Sequence, residues 1–222
     1  MNMISSKQYL GMDSSALVPL DPLKPQLLCT PHAAAAFNRL AEAATRNGIV
    51  LAAASAWRSY EHQFRIFDEK YRGVRPVLDA NEEPEDISSL SSVEKVKEIS
   101  RFSALPGFSR HHFGTDFDVY APNLLPLGQK LKLCAGEFTQ GSYFYTLGKW
   151  LEQHLEEFGF VRPYDGNPDT GYEPWHISFA AEAEQFLQAF DRQEALKQLR
   201  SKNPPWYQAA EQYLMQKKRA LP

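Results

Sequence analysis

Ser109-Arg110-His111-His112-Phe113-Gly114-Thr115-Asp116-Phe117-Asp118 is the stretch on which the fold turns. Gly114 permits a sharp bend between His111 and Asp118, because glycine takes backbone angles that other residues avoid. Beyond it, Asp116, Asp118 and Tyr120 alternate with Phe117 and Val119, the period of a strand with one polar and one apolar face. A loop histidine is thus set beside a strand carboxylate. Asp116 shares the strand face of Asp118, where it either orients a ligand from behind or turns to solvent. Taken alone, His111-His112 also reads as a surface pair and Asp118 as a turn residue.

Glu173-Pro174-Trp175-His176 decides between these readings. Pro174 biases Glu173 toward an extended backbone, so this is not the helical H-E-x-x-H arrangement. On a flat strand the side chains of 173 and 176 point to opposite faces. For both to reach one ion, the strand must twist or bulge, with Trp175 wedged into the core. Two histidines, an aspartate and a spare glutamate have the composition of a catalytic zinc site, which takes three protein ligands and leaves its fourth position to water. The metal acidifies that water and a nearby carboxylate takes its proton. His111, Asp118 and His176 are therefore the expected Zn2+ ligands, with Glu173 as the base and Asp116 as a candidate support behind them. Arg58 sits where an apolar strand gives way to a capped helix, a position that fixes a long side chain. Near the metal its guanidinium would stabilise an oxyanion or hold a substrate carboxylate; away from it, Arg58 would be a surface salt bridge.

Around these motifs the chain alternates short strands with separate helices, which predicts an α+β fold. Its small antiparallel sheet carries the zinc site, and several α-helices flank it in a single domain. Residues 1–29, with Pro19, Pro22 and Pro25, read as an extended N-terminal arm. Thr30-Pro31 supplies an N-cap and a first helical position for a helix bearing Ala33, Phe37, Leu40 and Ala44, stopped by Asn47-Gly48. Residues 49–54 read as a buried strand, and Ser59 caps a helix with Phe64, Phe67 and Tyr71 on one face. Residues 74–91 form a loop whose Glu82, Glu83, Glu85 and Asp86 read as solvated. Val93, Val96 and Ile99 mark a short helix, and residues 122–136 read as turns. A helix spans Tyr145 to Phe158 and is followed by a strand over 160–164. A polar turn at Asp165-Gly166-Asn167-Pro168 leads to the partner strand over 172–179. Residues 181–222 form a helical extension packed on the same domain, with Asp191 and Glu194 as a capping box and a last apolar stripe from Trp206 to Leu214.

Composition narrows the function. The 222 residues are 43% hydrophobic, 13% aromatic and 23% charged, with a formal net charge of −3, which leaves no basic footprint for nucleic acid. No apolar run approaches the roughly 20 residues of a transmembrane segment. The first residues lack a signal-peptide pattern. That points to a cytoplasmic location for the sequence as given, and to a periplasmic or cell-wall one where an export segment has been removed. Cys29 and Cys134 have no metal-pair spacing and read as buried or idle thiols, a single disulfide being the minor alternative. Oligomeric state is not legible.

Three stretches together carry a resemblance. Residues Ser55-Ala56-Trp57-Arg58-Ser59-Tyr60-Glu61-His62-Gln63 resemble S-G-Y-R-S-Y-x-x-Q. Pro106 to Asp118 resembles P-G-x-S-x-H-x-x-G-x-A-x-D, and Glu173 to His176 reproduces E-P-W-H. In this order they resemble the VanY-type D-alanyl-D-alanine carboxypeptidases, zinc peptidases that share a fold with lysostaphin-type enzymes and the hedgehog signalling domain. The resemblance implies a zinc peptidase domain over residues 30–180. It implies His111, Asp118 and His176 as zinc ligands, Glu173 as general base and Arg58 as the transition-state arginine, with Gln63 and Ser109 contacting the substrate peptide. The implied reaction is hydrolysis of a terminal D-Ala-D-Ala type bond in peptidoglycan stem peptides or muropeptides. The alternatives are an L,D-carboxypeptidase or peptidoglycan endopeptidase on the same frame, or a non-catalytic zinc-stabilised binding domain. Two positions depart from the pattern: Asp116 stands where the family has Ala or another small residue, and Ser178 where many members have Arg.

Overall fold

In the computed structural model the described residues are 4–164, 166 and 171–217. Thr30 caps helix α2 (Pro31–Arg46), accepting from the Ala33 amide, and Pro31 takes the first turn. The face spaced as a helix requires, Ala33, Phe37, Leu40 and Ala44, is buried. Ser59 does the same for α3 (Tyr60–Tyr71), and Ser91 with Glu94 forms a reciprocal capping box on α4 (Ser92–Ser100). Before α2 come a short helix α1 (Ser6–Tyr9) and a hairpin of β1 (Val18–Asp21) and β2 (Lys24–Cys29). Pro19 and Pro25, read from the sequence as part of an extended arm, sit in this two-stranded sheet, where a missing N–H at an edge costs no ladder bond.

The main sheet is antiparallel throughout. Its strands are β3 (Ala52–Ser55), β6 (Asp116–Tyr120), β8 (His176–Phe179) and β7 (Phe160–Val161), in the order β3-β6-β8-β7. Between β3 and β6 lies the minor hairpin of β4 (Val77–Leu78) and β5 (Pro84–Glu85) inside the expected loop. Asp116 pairs with Ser178 and Asp118 with His176 across β6 and β8. Alternation divides β6: Phe117 and Val119 enter a core built on α2 and α5 (Tyr145–His154), while Asp116 and Asp118 take the opposite face. A second core joins α3 and α4 to the C-terminal helices α6 (Ala180–Ala189), α7 (Arg192–Lys202) and α8 (Tyr207–Gln216). Trp206 is fully buried there, its ring 4.7 Å from that of Phe67, so the apolar stripe leading into α8 packs on its own chain. The class is α+β, as expected.

Several boundaries move. The apolar run at 49–54 becomes strand only from Ala52. The helix from Tyr145 tightens into a 3-10 turn at Leu155–Phe158. The strand after Gly159 has two residues rather than five. The turn expected at 165–168 lies, Gly166 apart, outside the described residues. Cys29 and Cys134 are both free thiols.

Candidate metal-dependent active site

The sheet's polar face and the 3-10 turn Arg110–Phe113 bring the motifs together. Gly114 ends that turn in the left-handed region at φ 75°, and a Cβ there would lie 2.9 Å from Leu17 Cδ2. The bend read from the sequence is thus one that only glycine makes without strain. His111, Asp118 and His176 are all buried and place one ligand atom each within 4.8 Å of one another. His111 Nε2 lies 3.2 Å from Asp118 Oδ2, and His176 Nδ1 lies 3.1 Å from Asp118 Oδ1.

Each imidazole is fixed by its far nitrogen. His111 Nδ1 is 2.8 Å from the Ala56 carbonyl, and His176 Nε2 is 2.9 Å from Asp116 Oδ1. Among the described residues both histidines therefore turn a nitrogen whose only neighbours are the Asp118 and Glu173 carboxylates toward the common centre, the orientation that supporting groups impose on metal-binding histidines. Two nitrogens and one carboxylate, converging and buried, suit a borderline cation such as zinc.

Glu173 reaches the same centre by a turn, not by a bulge within a strand. The His176 amide donates to the Glu173 carbonyl at 3.1 Å, and β8 begins only at His176. Pro174 and Trp175 fill the corner, with Trp175 buried and its carbonyl accepting from Val119. This places Glu173 Oε2 3.6 Å from His176 Nδ1. Burial raises the Glu173 pKa to about 8, the Asp118 charge adding to it while His176 and Arg58 oppose.

Arg58 is not a surface salt bridge. Nη1 donates to Gln63 Oε1 at 2.8 Å, Nη2 donates to Ser55 Oγ at 3.2 Å, and Nη2 stands 3.8 Å from Asp118 Oδ2. Gln63 also donates to the Ala104 carbonyl at 2.6 Å, so both ends of its amide are used within the protein. Ser109 is buried beside the cleft, its carbonyl accepting from the His112 amide.

Asp116 is fully buried and does not face solvent. It accepts from Arg110 Nε at 2.8 Å, from Thr115 Oγ1 at 2.7 Å and from Ser178 Oγ at 3.0 Å, besides holding His176. Burial opposes its ionisation, yet Arg110 and His176 outweigh that and hold its carboxyl well below the usual carboxylate range. Arg110 Nη2 also donates to Ser178 Oγ at 2.6 Å. The two positions that depart from the sequence pattern are thus cross-strand neighbours, and Arg110 bridges them.

Arg110 was not singled out from sequence, and neither was the role of His112. His112 Nε2 accepts from the Gly107 amide at 3.0 Å while Nδ1 lies 2.7 Å from the Arg58 carbonyl, and the Arg58 amide donates to the His111 carbonyl. Burial depresses the His112 pKa to about 3, so it acts as a neutral clamp on the Arg58 backbone. Glu82, expected in water, instead accepts from the Ala135 amide at 2.7 and 2.8 Å and lines the cleft. Tyr164 closes one side, its ring 4.6 Å from that of His176.

Comparison with known proteins follows the same lines. A putative carboxypeptidase, YodJ, of Bacillus subtilis (strain 168) is 29% identical over 152 residues, 67% of this chain and 45% of that protein. A D-alanyl-D-alanine carboxypeptidase of Enterococcus faecalis (strain ATCC 700802 / V583) is 26% identical over 144 residues, 63% of this chain and 44% of that protein. An uncharacterised protein of Haemophilus influenzae (strain ATCC 51907 / DSM 11121 / KW20 / Rd) is 44% identical over 85 residues, 37% of this chain and 65% of its own length. The matches thus span less than two thirds of each relative. Among solved structures, a mutant of the vancomycin-resistance D,D-pentapeptidase VanY in complex with Zn(II) superposes with TM-score 0.55 at 21% identity, over 88% of this chain and 94% of that one. The L,D-carboxypeptidase LdcB superposes with TM-score 0.51 at 22% identity, over 89% and 78%; these two likenesses show a shared fold. The family described as VanY, D-alanyl-D-alanine carboxypeptidase, matches residues 26–182, and the chain belongs to that family.

Proposed function

We propose that this protein is a zinc-dependent carboxypeptidase that removes the terminal D-alanine from peptidoglycan stem peptides or their precursors. One observation carries the reading: a base and an arginine both stand at the ligand cluster, Glu173 Oε2 3.6 Å from His176 Nδ1 and Arg58 Nη2 3.8 Å from Asp118 Oδ2. A domain that binds zinc only for stability needs neither.

His111 Nε2, Asp118 and His176 Nδ1 would hold zinc, which when bound would supply the Lewis acidity that makes water a nucleophile near neutral pH. Glu173, its carboxylate beside the ligand cluster, accepts the proton of the attacking water and passes it to the departing amine. Arg58, braced by Gln63 and Ser55, donates to the oxygen that becomes negative as the carbonyl turns tetrahedral. Asp116 keeps the His176 ring in one orientation, and Ser109, which lines the cleft, contacts the peptide.

The test is incubation of the zinc-loaded protein with defined stems. Loss of the last D-alanine from a pentapeptide stem, with the tetrapeptide untouched, is the expected result. Cleavage of the tetrapeptide would make it an L,D-carboxypeptidase, internal cleavage an endopeptidase, and no release from any stem a binding domain.

A further inference from the structure

The cleft above the ligand cluster, about 380 Å³, continues along α3 well past the catalytic groups. Ile66 and Lys70, one turn apart on α3, line it together with Ser103. Lys70 is half-buried, and its Nζ donates to Ser103 Oγ at 2.8 Å. The neighbouring cations have partners of their own. Arg75 pairs with Glu69, Arg101 with Glu98, and Arg58 is held by Gln63 and Ser55. Among the described residues no carboxylate lies within ion-pair distance of Lys70, whose only hydrogen-bond partner is the neutral Ser103 hydroxyl.

An ammonium has three donors. One is spent on Ser103, which leaves two for the cleft that Lys70 lines. Accepting from Lys70 leaves the Ser103 O–H available as a further donor. Burying an ammonium without a counter-ion is unfavourable, and burial, helped by the charges of Arg75 and Arg58, lowers the Lys70 pKa to about 8. Such a cation is retained at a cost to the fold, and it stands ready for an anion that arrives from outside.

We infer that Lys70 and Ser103 form a carboxylate-binding subsite that recognises an anionic group of the peptide substrate. The inference rests on the peptide-cleaving reading above and assigns its specificity. Two carboxylates qualify, the terminal one of the leaving residue and an internal one of the stem. Gln63 and Lys70 are separated by about 10 Å along the helix axis, the reach of about three extended residues. That span fits an internal carboxylate several residues from the scissile bond directly, and the terminal one only where the long Lys70 side chain reaches back toward Arg58.

Binding measured by calorimetry separates this from the catalytic reading, since it requires no turnover. The zinc-loaded protein carrying Glu173→Ala is titrated with a pentapeptide stem, with its C-terminal amide, and with a stem whose internal carboxylates are amidated. The titrations are repeated with Lys70→Met or Ser103→Ala added, and thermal melts confirm that each variant is folded. Lys70→Met should weaken the free-acid stem by roughly 10- to 100-fold, the range of a charge-assisted hydrogen bond, and Ser103→Ala should weaken it less. One amidated ligand should lose the same factor against Lys70 and nothing further against Lys70→Met, and that ligand identifies the carboxylate. Equal affinity of the free-acid stem for the two proteins would overturn the inference, as would failure of every stem to bind the Lys70 protein. If Lys70-dependent binding persists while the wild-type enzyme releases no residue, the subsite stands and the carboxypeptidase reading falls. Turnover without any effect of Lys70 gives the reverse.

Discussion

At the scale of single residues the site separates into groups that meet the reaction and groups that hold those in place. On the proposed mechanism Glu173 belongs to the first. Glu173→Gln should retain one zinc per chain by metal analysis while turnover drops by about 10²–10⁴, the usual weight of acid–base catalysis. Asp116 belongs to the second, because it touches His176 on the side away from the common centre. Asp116→Asn should weaken zinc about 10- to 100-fold in a competition titration against a chelator, the usual cost of losing a ligand's supporting group. An unchanged zinc affinity would make Asp116 a partner for Arg110 alone. The candidate metal cluster was legible as a set because two histidines, an aspartate and a glutamate stand at recognisable spacings, and the fold brings them together. Arg110 and His112 were not, since a sequence does not say that a basic residue inside a motif points inward. Their roles depend on burial: Arg110 and Asp116 are almost fully enclosed, so each must find the other.

At the scale of elements, the caps at Thr30, Ser59 and Ser91 and the bend at Gly114 were readable because each rests on local chemistry. Gly114→Ala combines a left-handed backbone, costing about 1–2 kcal/mol, with a contact to Leu17 2.9 Å away. Chemical denaturation should show a loss of about 1–3 kcal/mol with an unchanged slope; a loss within error would mean that the Leu17 region yields freely. The prolines marked residues 1–29 as extended but did not reveal the hairpin; Pro19 and Pro25 are tolerated in it because the pairing involves only two strands. The Glu173–His176 segment was read correctly as non-helical and incorrectly as a distorted strand. A four-residue turn reaches the same juxtaposition, because its first and last residues lie close together.

At the scale of the whole molecule, residues of both cores line the cleft, and Lys70 lies on α3, a helix of the second core. Its pKa is lowered from 10.5 to about 8, so between those values the unfolded chain binds more protons than the folded one. Stability contributed by this group therefore rises with pH through that window, and the full penalty is present below about pH 8. Lys70→Met should stabilise the fold at pH 7 by on the order of 1–3 kcal/mol and flatten that rise. A destabilised variant at pH 7 would show instead that the Ser103 contact is a net contributor to the fold. The overall class was legible from alternating strand and helix periods. The second core was not, because the contact of α4 with α8 joins segments far apart in the chain.

The proposed function requires that His111, Asp118 and His176 hold a cation beside which Glu173 acts as the base of peptide hydrolysis. Mass spectrometry of a pentapeptide-stem digest tests it most directly, run with the zinc-loaded protein, after chelation, and after zinc is restored. The account predicts a product lighter by one alanine residue that disappears with the chelator, returns with zinc and is nearly absent with Glu173→Gln. Undiminished product after complete removal of metal, or full activity of Glu173→Gln, would contradict it.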